Sequence, residues 1–80
     1  MRLVAEFTTE PFVGEGEPPA HVREAYAAAQ AAGLTGEVGP FGTSVTGGRD
    51  ELLGALTTIV TAAFDHGASC VTLRVERADG

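Results

Sequence analysis

Cys70 is the only cysteine in a chain of 80 residues, and the pairing of so short a chain with a lone thiol sets the terms for any fold. No intrachain disulfide can form, and a thiolate metal cluster has no second sulfur to use. A chain this short cannot divide into two cores, because each part would bury too little surface to hold itself together. The expectation is one domain across residues 1–80, held by packing alone. Small domains without covalent or metal staples commonly gain stability by self-association, so a homo-oligomer is expected.

Hydropathy patterning supplies the elements. Leu3 to Thr9 mixes β-branched, aromatic and polar residues and is stopped by Glu10-Pro11, which reads as a first strand. Its Leu3, Ala5 and Phe7 point one way, toward a core, and Val4, Glu6 and Thr8 point the other. Gly14 to Pro19 reads as a loop whose prolines suit the first turn of a following helix. That helix runs to about Ala32, with Val22, Ala25, Tyr26, Ala29 and Ala32 on one stripe and Gly33 as its stop.

Leu34 to Gly39 and Phe41 to Thr46 read as a β-hairpin turning around Pro40 and Gly42, ended by Gly47-Gly48. Asp50 and Glu51 then suit the positive end of a second helix. Leu52, Leu53, Leu56, Ile59, Val60, Ala63 and Phe64 recur in it at helical spacing as the main core stripe, and Gly67 closes it. Val71, Leu73 and Val75 alternate with Thr72, Arg74 and Glu76 in a last strand that Cys70 begins.

The order strand, helix, strand, strand, helix, strand in so few residues predicts an α+β, ferredoxin-like βαββαβ fold: a four-stranded antiparallel sheet with both helices on one face. Alternation then places Glu6, Thr8, Glu37, Ser44, Thr46, Thr72, Arg74 and Glu76 on the open face. A face so polar meets water, a ligand or another subunit.

Charge narrows the partners. Five arginines, no lysine and eleven acidic residues give a net charge of −6, which opposes binding to nucleic acid or an anionic membrane and favours a neutral or cationic ligand. Without lysine there is no Schiff-base chemistry and no P-loop. Met1 to Phe12 lacks the pattern of a signal peptide and no apolar stretch reaches membrane-spanning length, so a cytoplasmic location is expected.

Few residues offer chemistry. His21 opens the first helix and His66 ends the second, so they do not converge with Cys70 on a metal; both are expected to be solvated, His66 favouring the helix C-terminus. Cys70 has no evident histidine partner and reads as inert. Glu6 and Glu37 stand out because each sits inside a predicted strand among apolar neighbours. They read either as solvated residues, or residues paired with Arg74, or as acceptors for an amine-bearing or cationic ligand with the Thr43 and Ser44 hydroxyls nearby.

The segment Gly33-Leu34-Thr35-Gly36-Glu37-Val38-Gly39-Pro40-Phe41-Gly42-Thr43 resembles the Gly-Leu-x-Tyr-Glu-(Leu/Val)-Gly-Pro-x-x-Thr segment of the thiamine-binding YkoF-like family. The similarity continues through the second helix to Phe64-x-x-Gly67-Ala68, and Ala5-Glu6-Phe7 with Pro11 resembles the family's first strand. The resemblance implies a ferredoxin-like fold, sheets paired into dimers and tetramers, and binding of thiamine or its hydroxymethylpyrimidine portion. It implies no cofactor beyond that ligand, whose aminopyrimidine a carboxylate can engage through two hydrogen bonds. Glu6, Glu37, Phe41, Thr43 and Ser44 are the expected contacts. The chain departs from the family at Gly36, where a tyrosine is usual, and at Ser44, Cys70 and the region around Arg74. The competing readings are a structural or regulatory oligomer that meets a partner protein through its sheet face, and an enzyme using Glu37 as general base, for which no second catalytic group is at a recognisable spacing.

Overall fold

The alternation seen from Leu3 to Thr9 makes strand β1 (Arg2–Glu10) two-sided: Leu3, Ala5, Phe7 and Thr9 are buried, while Glu6, Thr8 and Glu10 are exposed. The computed structural model, which describes residues 1–12, 16–39 and 42–78, sets β1 between β3 (Gly42–Gly48) and β4 (Cys70–Arg77), with β2 (Thr35–Gly39) outside β3. All three pairings are antiparallel. Helices α1 (Ala20–Ala31) and α2 (Arg49–Asp65) complete the order βαββαβ. One core joins the sheet's inner residues Leu3, Ala5, Phe7 and Val45 to Ala25 and Ala29 of α1 and Leu52, Ala55, Ile59 and Ala63 of α2. This is the ferredoxin-like α+β fold that the pattern predicts.

The small residues of α1 matter to that packing, because alanines at 25 and 29 let the helix lie close to its neighbours. Both helices stop as the glycines require. The Leu34 and Gly33 N–H groups return to the carbonyls of Ala29 and Gln30. In the same way those of Ala68 and Gly67 return to Ala63 and Phe64. Each is a Schellman closure with the glycine at positive φ, +87° at Gly33 and +103° at Gly67.

Four expectations need correction. β3 does not end at Thr46 but runs through Gly47 and Gly48, which pair with Leu3 and Arg2. Among the core stripe of α2, Leu53 and Phe64 are 45% and 49% exposed while Ala55 is buried, because the helix turns its Leu52–Ala55–Ile59–Ala63 line inward and leaves the flanking positions outside. His21 is not solvated: it is 4% exposed, one helical turn from Ala25 on the inward line of α1. Arg74 pairs with Glu76 on its own strand rather than with Glu6 or Glu37. Pro40 and Phe41 at the expected turn, and Gly14 and Glu15 in the expected loop, lie outside the described residues. No helix is long and apolar enough to cross a membrane among the described residues.

Gly36 stands where the segment this chain resembles has a tyrosine, and its surroundings explain the need for glycine in this chain. A Cβ there would fall on the carbonyl oxygen of Ser44 in β3, while the Gly36 carbonyl accepts a hydrogen bond from the Tyr26 hydroxyl of α1 at 2.6 Å. Glycine lets β2 approach β3 this closely. Gly54, in the interior of α2, has open space where a Cβ would go. Gly36→Ala is therefore expected to destabilise the fold by about 1–3 kcal/mol, and Gly54→Ala to stabilise it by up to about 1 kcal/mol. Urea unfolding of the two variants checks both signs.

Candidate functional site

Because successive side chains on a strand alternate, the register of the sheet decides which expected site residues share a face. Glu37 of β2 stands opposite Ser44 of β3, Ser44 opposite Glu6 of β1, and Glu6 opposite Arg74 of β4. The four make one row across the open face, with directly opposed Cβ atoms about 4.5–5.5 Å apart. Arg74 is held by Glu76, and both Glu6 and Glu37 are exposed with no ion pair among the described residues. Two carboxylates thus flank one hydroxyl. A hollow of about 430 Å³ opens on this face against Glu6, Ser44, Thr72 and Arg74.

Thr43 goes the other way. It is 3% exposed, on the helix-side face opposite Phe7, and it lines a second cavity, of about 300 Å³, beneath the start of α1. Phe7, Thr9, Phe12, Pro19, Val22 and Val38 contribute to the walls there. Most are apolar, Phe12 being an exposed aromatic ring at the rim, and Thr9 and Thr43 supply hydroxyls. No side chain of the described wall carries a charge.

The two hollows meet at one end of the sheet, sharing Phe7, Thr8, Gly39, Gly42 and Thr43. Gly39 and Gly42 face each other across β2 and β3 and place no side chain between the hollows. The structure therefore brings Glu6, Ser44 and Glu37 together, sets Thr43 behind them on the opposite face, and gathers all four toward the β2–β3 turn. Phe41, the remaining expected contact, lies outside the described residues.

Apart from Thr43, sequence reasoning missed the helix-side walls. Thr9 continues the 3, 5, 7 alternation of β1, and His21, Ala25 and Ala29 recur at i, i+4 and i+8 in α1, so both were signalled by periodicity. Behind the cavity the Thr9 hydroxyl and His21 Nδ1 are hydrogen-bonded at 2.6 Å. Elsewhere, His66 Nδ1 donates to the Ala62 carbonyl at 2.9 Å, as its place at the end of α2 suggests, and Cys70 is exposed. No three metal-ligating side chains cluster among the described residues.

Comparison with known proteins bears on this architecture. The chain resembles a domain of unknown function from Bacillus cereus at 25% identity over 94% of this chain and 72% of that one, with a TM-score of 0.65. A Streptococcus pneumoniae protein is 26% identical over 95% of this chain and 83% of its own, with a TM-score of 0.67. A Thermotoga maritima protein, named provisionally for thiamine biosynthesis or salvage, shares the fold at 20% identity, 95% and 81% coverage and a TM-score of 0.66. No match was found among curated proteins. The family described as Thiamine-binding protein matches residues 5–79, the span that runs from Ala5 of β1 through β4 and holds both helices and both hollows, and the chain belongs to that family of binding proteins.

Proposed function

We propose that this chain binds thiamine or its hydroxymethylpyrimidine portion, in the cytoplasm and without converting it, at the end of the sheet where the two hollows meet. The observation that carries the reading is the pairing of opposite chemistries across one strand end: a helix-side cavity of apolar and hydroxyl groups, and an outer row with two carboxylates free of ion pairs among the described residues. Thiamine asks for both. Its aminopyrimidine is neutral and planar, suited to a wall with Phe7 and the Thr43 hydroxyl. Its thiazolium is a cation, suited to Glu6 and Glu37 with the Ser44 hydroxyl between them. Membership of a thiamine-binding family and the provisional name of the Thermotoga maritima neighbour support the same ligand class.

In this reading the acidic excess also sets the form of the ligand. A diphosphate needs cationic partners, and the chain has no lysine and a net charge of −6. Titration calorimetry is expected to show unphosphorylated thiamine binding more tightly than thiamine diphosphate. Glu6→Gln or Glu37→Gln is expected to weaken thiamine binding by about 1.5–3 kcal/mol, roughly tenfold to a hundredfold. Hydroxymethylpyrimidine, which lacks the cation, should lose little in the same variants. Tighter binding of the diphosphate, or unchanged thiamine affinity in both glutamate variants, would remove the carboxylates from the site.

The same reading includes assembly. A single chain leaves the outer sheet face and the edge strands β2 and β4 uncovered, and a second copy on that face would add buried surface that so short a chain lacks. A homo-oligomer, a dimer of dimers in the first instance, is expected from light scattering at micromolar concentration; a strict 8.2 kDa monomer would contradict it.

A further inference from the structure

We infer that His21 is a positioning residue for the helix-side cavity: it holds the Thr9 hydroxyl as a hydrogen-bond donor directed into the cavity, which thereby selects a neutral ring bearing an acceptor nitrogen. The inference rests on the reading that a thiamine-type ligand occupies this end of the sheet.

His21 lies in the first turn of α1 at 4% exposure. Its Nδ1 is 2.6 Å from Thr9 Oγ1, and its Nε2 is buried with no hydrogen-bond partner among the described residues. That orphan nitrogen discriminates between the tautomers. With the proton on Nε2, a buried donor would have no acceptor among the described residues, and buried N–H groups without acceptors are rarer than acceptors without donors. With the proton on Nδ1, only a lone pair is stranded. The ring then donates to Thr9 Oγ1, and the hydroxyl proton of Thr9 must turn away from the imidazole.

Thr9 is itself 7% exposed and forms part of the cavity wall. Its proton therefore points where water or a ligand acceptor can meet it. A pyrimidine offers ring nitrogens with lone pairs, whereas a thiazolium nitrogen has none to give. The His21–Thr9 pair thus orients a two-ring ligand, pyrimidine inward, and does so without a charge in the wall.

Two measurements test this. Nitrogen-15 NMR of the ligand-free protein is expected to show His21 protonated at Nδ1 with a pyridine-like Nε2; the reverse tautomer overturns the inference. Calorimetry with hydroxymethylpyrimidine is expected to show about a tenfold loss in Thr9→Val and in His21→Leu, with the double variant no worse than either single. His21→Asn, whose amide nitrogen takes the place of Nδ1, should stay within about threefold of the parent. An analogue with CH in place of a ring nitrogen should bind the parent about tenfold more weakly and Thr9→Val no more weakly than the natural ring does. Additive losses in the double variant, or no rescue by asparagine, overturn the positioning role. A parent protein that binds neither thiamine nor hydroxymethylpyrimidine overturns the ligand reading instead, and the tautomer measurement still decides how His21 holds Thr9.

Discussion

The side-to-side alternation of β1 is the constraint on which the rest of this molecule depends. Its inner residues Leu3 and Phe7 are buried against two helices, and burying each such side chain is worth about 1.5–3 kcal/mol. A slip of one residue would expose both and bury Glu6. The register that protects the core is therefore the register that lines up Glu37, Ser44, Glu6 and Arg74 on the other face. In a domain whose single cysteine can form no intrachain disulfide, the same packing energy that makes the fold also fixes the spacing of these residues.

The proposed function rests on how the sheet ends. At the β2–β3 turn the paired glycines Gly39 and Gly42 leave room on both faces. The close approach at Gly36, tied to α1 through Tyr26, holds β2 against β3 just before that turn. The result is a strand end with an apolar, hydroxyl-bearing hollow on one side and, on the other, Glu6 and Glu37, which have no ion pair among the described residues. A ligand with one neutral ring and one cationic ring matches that asymmetry in a way that a phosphorylated or anionic molecule does not.

Most of the fold was legible because its signals are local. Alternation, helical spacing and the glycines at 33 and 67 each carry their own physical cause, and the open-face residues were named correctly from parity alone. The errors came where three-dimensional packing outranks composition. Leu53 and Phe64 are as apolar as their neighbours, yet they lie just off the line that α2 turns inward. His21 looked like a solvent-facing helix start, but its i+4 and i+8 partners are the two most buried alanines of α1. Thr43 and Ser44 are adjacent in one strand, so parity already required them to face opposite ways; treating them as one cluster overlooked that rule. Gly36 could not be explained from sequence at all, since its reason is the backbone of a neighbouring strand.

The central claim is that one end of the sheet, and no other surface, receives a thiamine-type ligand. Backbone amide NMR during titration with thiamine reads this residue by residue. The account predicts that the large shifts fall on Phe7 to Thr9, His21 and Val22, Gly39, and Gly42 to Ser44, while the far end of the sheet and the exposed face of α2 around Leu53 stay still. Shifts concentrated on α2 or on the Arg2–Gly48 end of the sheet, or no shifts at saturating thiamine, would contradict it.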